Sequence, residues 1–246
     1  MTVIEHLAEL RTRLIISAAA FLGISVIAFF LFTPMLDILR QPLCDIDPER
    51  LGPQGCDLFY TGATGGLSVR LKMTALAGLI FSSPVWLYQV YAFVAPGLTS
   101  KERRYAVPFV LTSIVLFLTG LTFAYLTLPA GLNFLIKIAG PDLVPLFRAE
   151  EYFSFVGLIF LGFGMVFELP LLLFFLGLVG AVSVEQLRKG RRIAIVTIVA
   201  LAAVVTPSQD PYTMLAMAVP LYGLYELTIV LLALVNRRRR KAEARN

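Results

Sequence analysis

Residues 152–184 read YFSFVGLIFLGFGMVFELPLLLFFLGLVGAVSV, and Glu168 is the only charged side chain in that stretch. A helix needs about 20 apolar residues to cross about 30 Å of hydrocarbon, and this run exceeds that requirement. Working outward, Leu14–Leu36, Met73–Ser100 and Tyr105–Ile136 are also free of Asp, Glu, Lys and Arg. So is Ile193–Gln209, and Pro211–Asn236 is interrupted only by Glu226. The 246-residue chain is 58% hydrophobic and 15% charged, with a mean hydropathy of +0.83. Soluble domains carry about 45–50% apolar and about 25% charged residues, so a soluble, disordered or collagen-like chain is excluded. The sequence predicts an all-α membrane protein with spans at about 14–36, 68–93, 105–128, 152–180, 193–206 and 212–234. These form one transmembrane domain over 1–236, followed by a basic tail, 237–246. The fifth and sixth helices are expected to be short, because 206–211 reads Thr-Pro-Ser-Gln-Asp-Pro and Pro220 divides the last run.

Six spans put both termini on one side, and the basic residues say which. Arg11, Arg13, Lys101, Arg103, Arg104, Arg188, Lys189, Arg191, Arg192 and the tail from Arg237 onward share that side. Arg40, Arg50, Arg70, Lys72, Lys137 and Arg148 fall on the other, where most acids also collect. The positive-inside rule then puts both termini in the cytoplasm. The net charge of +5 thus reports topology. Its natural partner is anionic lipid, and no nucleic-acid-binding signature accompanies it.

The N-terminal segment 2–14 carries Val3, Leu7, Leu10 and Leu14 on one helical stripe, which predicts a short interfacial helix before the first span. The first run is too long for a signal-peptide core, and Glu5 and Glu9 precede it, so no cleaved leader is expected. The first outer loop, about 37–66, contains Pro42, Pro48 and Pro53, which argues against regular helix there. Cys44 and Cys56 both lie in it, on the oxidising side, where a disulfide or two free thiols are the alternatives. The second outer loop, about 129–151, is punctuated by Pro and Gly.

One histidine, His6, and two cysteines exclude multi-His and four-Cys metal sites. No P-loop, dinucleotide fingerprint or nucleophile with a base is present, so no enzyme chemistry, cofactor or metal is expected. Glu168 is the sharpest physical anomaly, since a charge at a helix centre costs about 2.5–3.5 kcal/mol even on insertion scales. It reads either as a polar contact on a cavity or partner-facing surface, or as a carboxylate bonded to a neighbouring helix. Glu226, nearer the cytoplasmic end of the last span, reads as a structural acid that either snorkels to the surface or bonds a neighbouring tyrosine. Glu9 precedes Arg13 by four residues, a helix pair. Glu102 completes a capping box with Thr99. The functional alternative for both is a receptor for a dibasic ligand, because carboxylates take guanidinium bidentately.

His6-Leu-Ala-Glu9-Leu-Arg11-Thr-Arg13-Leu14 before the first span resembles the N-terminal signature of the TatC family. Leu87-Tyr-Gln-Val-Tyr-Ala-Phe93-Val-Ala-Pro96-Gly-Leu98 with Lys101-Glu102-Arg103-Arg104 is similar to that family's first cytoplasmic loop. Ser154-Phe-Val156, Phe163-Gly164, Phe167-Glu168-Leu-Pro170, Thr206-Pro207 with Asp210, and Pro220 with Tyr225-Glu226 extend the likeness over nearly the whole chain. The resemblance implies six helices in a concave, glove-like cup, in the cytoplasmic membrane of a prokaryote. It implies a receptor for twin-arginine signal peptides of folded proteins, working with TatA, TatB and other TatC copies. Transport would be driven by the proton-motive force. Glu9 and Glu102 stand where the family recognises arginine, with His6, Arg11, Phe93, Arg103 and Arg104 in the same patch. Glu168 would face the concave interior. Single-span partners would dock near Thr206, Asp210 and Thr213. There the chain departs from the family's pattern: Tyr212-Thr213-Met214 stands where a polar partner, often Gln, is expected. The competing reading is a small ion- or proton-coupled transporter using Glu168, although neither an internal repeat nor convergent intramembrane charges support it.

Overall fold

The computed structural model describes residues 3–94, 106–140, 143–206 and 211–243. The helices are α1 (Val3–Phe30), α2 (Phe32–Cys44), α3 (Pro48–Leu51), α4 (Gly65–Phe81), α5 (Ser83–Val94) and α6 (Ala106–Ala139). They continue with α7 (Ala149–Phe167), α8 (Leu169–Leu178), α9 (Val184–Lys189), α10 (Arg191–Val205) and α11 (Pro211–Glu243). Among the described residues the only extended pairing is an isolated parallel bridge between Phe59 and Arg148. Among the described residues four stretches are long and apolar enough to cross a membrane: Ile4–Phe30, Val107–Ala139, Ala149–Leu178 and Pro211–Arg237. Helices α4 and α5, bent by 54° at their junction, make a fifth. At 15 residues, α10 is the short one.

Several expected boundaries need correction. Residues 3–30 form one unbroken helix, so the separate interfacial helix before the first span does not exist. The loop expected from residue 37 is helical through Cys44, with Pro42 inside α2, and α3 follows at Pro48. Likewise α6 runs past Pro129 to Ala139. The last helix is not short: α11 covers 33 residues and passes straight through Pro220. A proline inside a helix forfeits one backbone hydrogen bond, whereas ending the helix in hydrocarbon would expose several groups.

The chain does break at Leu31, Ser82 and Glu168, and at each point a proline sits in the first turn of the next helix: Pro34, Pro84 and Pro170. That position tolerates proline because its missing N–H would have no partner there. Side chains from elsewhere donate to a carbonyl near each break. Arg70 Nη2 donates to the Phe29 carbonyl at 2.9 Å, with its guanidinium 4.1 Å from the Phe29 ring centroid. Trp86 Nε1 donates to the Leu79 carbonyl at 3.0 Å. The Thr228 hydroxyl donates to the Pro170 carbonyl at 3.1 Å.

The helices sort into two compact units, with α6 and α7 contributing residues to both. The first comprises Met1–Val115 and Leu132–Leu158. In it α1 packs against α4 and α5, and Gly78 makes room for Ser25 and the Phe21 carbonyl. The 45–64 loop is anchored by a Cys44–Cys56 disulfide, whose Cα atoms lie 5.0 Å apart. It is also stitched to the segment before α7: Phe59 N–H donates to Phe147 O at 3.0 Å, and Ala149 N–H to Phe59 O at 2.7 Å. Arg148 Nη2 reaches Thr61 Oγ1 at 2.9 Å, and the Tyr152 hydroxyl donates to Leu39 O at 2.9 Å. Gly52 has φ +74°, and a Cβ there would lie 2.7 Å from Val144 Cγ1. Both facts require glycine.

The second unit comprises Leu116–Gly131 and Ile159–Asn246. Phe117, Phe163 and Phe167 are fully buried in it. Glycines set its helix spacing: Gly164 lies under the Phe117 ring, Gly177 under Leu232, and Gly162 under Val205. Without a hydrophobic driving force between helices in lipid, such close van der Waals fit carries the association.

Candidate functional site

The N-terminal turns of α1 lie against α5, and the residues facing each other there are polar or aromatic. His6, Glu9 and Arg13 recur at intervals of three and four, which puts them on one helix face. Gln89 and Phe93 do the same on α5. The His6 and Phe93 rings stack with centroids 4.3 Å apart and planes 19° from parallel. Above that stack, Arg13 bridges the two helices. Its Nη2 donates to Glu9 Oε1 at 3.2 Å and its Nη1 to Gln89 Oε1 at 3.0 Å. Glu9 Oε2 is buried and has no hydrogen-bond partner among the described residues. An unsatisfied, buried carboxylate oxygen is costly unless a donor arrives. The cluster therefore has an acceptor in place for a cation.

The structure brings together His6, Glu9 and Phe93 from the expected set. Arg11, two residues beyond Glu9, is exposed on a different side of α1 and does not join them. Glu102, Arg103 and Arg104 lie outside the described residues. Gln89 is a residue that sequence reasoning missed. The available signal was an uncharged polar side chain inside the Met73–Ser100 run, which the search for charges passed over. Tyr91 is buried against Phe109, with centroids 5.5 Å apart.

In the second unit, Glu168 occupies the junction of α7 and α8 and is 9% exposed. Its backbone bridges the junction, with N–H donating to Met165 O and C=O accepting from Leu172 N–H. Thr206 ends α10, is buried, and spends its hydroxyl proton on the Ala202 carbonyl at 2.8 Å. Thr213 is buried in α11, and Asp210 lies outside the described residues. Glu226 is held by Arg191 at 2.7 Å and the Tyr222 hydroxyl at 2.9 Å. The neighbouring Tyr225 hydroxyl donates to Leu187 O at 2.6 Å. These contacts fasten α11 to α9 and to the start of α10.

The profile of one protein family, described as Sec-independent protein translocase protein (TatC), matches residues 5–220. The chain belongs to the TatC family. It is 43% identical over 244 residues to the TatC protein of Frankia casuarinae, covering 97% of this chain and 67% of that one. With the TatC protein of Aquifex aeolicus it shares 37% identity over 246 residues, 99% of each chain. The chloroplastic TATC of Pisum sativum is 38% identical over 92% of this chain and 62% of its own. Crystal structures of the twin-arginine translocase receptor TatC superpose with a TM-score of 0.76 at 38% identity. The match in the detergent DDM covers 92% of this chain and 98% of that one. The fold is therefore the TatC fold, and the protein is a multi-pass membrane component of Sec-independent protein translocation. TatC membership gives the ion-coupled transporter built on Glu168 no support.

Proposed function

We propose that this chain is the receptor subunit that recognises twin-arginine signal peptides on folded cargo and organises TatA and TatB around itself. The observation that carries the reading is Glu9: a half-buried carboxylate with Oε1 on Arg13 and a buried Oε2 without a partner, beside a His6–Phe93 stack. An arginine guanidinium presents paired N–H donors that a carboxylate takes side by side, whereas lysine offers a point charge. Glu102 supplies the second carboxylate for the second arginine, with Arg103 and Arg104 following it in the sequence.

The charge asymmetry of the sequence supports six spans with both termini in the cytoplasm of a prokaryote, α10 being the short fifth span. The signal's apolar stretch lies against the membrane-spanning helices, with Glu168 as a polar contact for it. TatA and TatB dock along α10 near Thr206, Asp210 and Thr213, and further TatC copies complete the complex. Ile193, Val196 and Val204, exposed on one stripe of α10, suit an apolar single-span partner. The proton-motive force drives transport, and the chain contributes binding and positioning with no enzymatic step.

The test is photo-crosslinking in membranes to a peptide with Arg-Arg ahead of an apolar run, its photoreactive residue beside the arginine pair. Crosslinking is expected to fall about tenfold or more when Lys-Lys replaces Arg-Arg, and equally with Glu9→Gln or Glu102→Gln, the scale of a charge-assisted hydrogen bond. Equal capture of both peptides, indifferent to those substitutions, would sink the reading.

A further inference from the structure

The bridge made by Arg13 has a cost for any receptor that uses Glu9. Arg13 is itself a guanidinium four residues along the same helix, and so competes for the same carboxylate. Left with Glu9 alone, it would close on both oxygens, the geometry that arginine and carboxylate prefer. The structure has Arg13 reaching only Oε1, while its Nη1 is held 3.0 Å away by the Gln89 carbonyl oxygen. Gln89 is 7% exposed, so its amide is fixed by packing and cannot follow a moving partner as a surface side chain would.

We propose that Gln89 is a positioning residue that keeps Glu9 open by holding Arg13 off its second oxygen. This inference rests on the signal-receptor reading of Glu9. An arriving guanidinium takes Oε1 and Oε2 together as Arg13 swings away, because Oε2 is buried until then. Arg13 keeps its Nη1 hydrogen bond to Gln89 throughout, and the released Nη2 has water within reach because the side chain is 30% exposed. Arg13 thereby acts as an internal stand-in for the signal arginine, and Gln89 sets how readily it is displaced.

The experiment uses the full chain in membranes and the Arg-Arg photo-crosslinking peptide, with yield normalised to the amount of receptor. Gln89→Met keeps the side-chain volume and removes the acceptor, and capture is expected to fall about tenfold. Gln89→Glu keeps an acceptor for Arg13 and retains capture. Combining Gln89→Met with Arg13→Gln removes the competitor and restores it, which repairing a packing defect at position 89 would not achieve. Undiminished capture by Gln89→Met, or a double variant as poor as the single one, overturns the inference. Glu9→Gln separates the two levels. If it too leaves capture intact, the receptor reading fails with the inference; if it abolishes capture while Gln89→Met does not, the inference alone fails.

Discussion

Single side chains decide how this protein bends its helices inside an apolar solvent. Arg70, Trp86 and Thr228 each reach a carbonyl beside a helix break, and water is absent from hydrocarbon to do this instead. Replacing Arg70 by Met should lower stability by about 2 kcal/mol, the net worth of a hydrogen bond from a charged donor. Trp86→Phe removes a neutral donor from the Leu79 carbonyl and should cost about 1 kcal/mol. Thermal unfolding of purified variants in detergent checks both, and an unchanged midpoint for Arg70→Met would refute the clamp. Glu226 acts locally too: its bonds to Arg191 and Tyr222 match the structural role read from the sequence, with the arginine as an addition. Nothing in the linear pattern brought position 191 next to position 226, because a cross-helix pair leaves no periodic trace.

At the scale of elements, five of the six charge-poor runs overlap described stretches long and apolar enough to cross a membrane, counting bent α4–α5 as one, while α10, at 15 residues, falls short of that length. The boundaries were less legible. Pro42, Pro129 and Pro220 read as stops yet lie inside helices, while the breaks at Leu31, Ser82 and Glu168 come just before prolines in first turns. Helix propensities measured in water overstate a proline where the alternative is unpaired backbone in lipid. Of the α1–α5 cluster, His6, Glu9 and Phe93 were singled out as one recognition patch only through the family resemblance, and Gln89 acquires meaning only from what α1 places against it. Packing between elements supplies a further prediction. A Cβ on Gly120 would lie 2.7 Å from the Phe163 carbonyl oxygen and 3.1 Å from Gly164 Cα, both backbone atoms that cannot rotate away. Gly120→Ala should therefore push α6 and α7 apart and cost about 1–3 kcal/mol of stability, measurable as a lowered unfolding midpoint. Gly23, with open space around it, is the control that should tolerate alanine.

For the whole molecule, the distribution of Lys and Arg predicts sidedness. Single cysteines placed near residue 190 and in the tail should react with an impermeant maleimide only after the membrane is opened, and one near residue 143 should react in intact cells. The reverse pattern would overturn the topology. The disulfide bears on stability: replacing Cys44 and Cys56 together by Ser should cost about 3 kcal/mol, as for loops of about 15 residues. Matched unfolding curves in oxidising and reducing buffer report this directly. The bridge between Phe59 and the 147–149 segment has a further meaning in time. A ribosome completes Cys44, Cys56 and Phe59 long before Phe147, so the first half of that contact exists while its partner is still unmade. A disulfide between Cys44 and Cys56 closes its loop three residues before Phe59, so it narrows the conformations of the earlier partner before the later one is made.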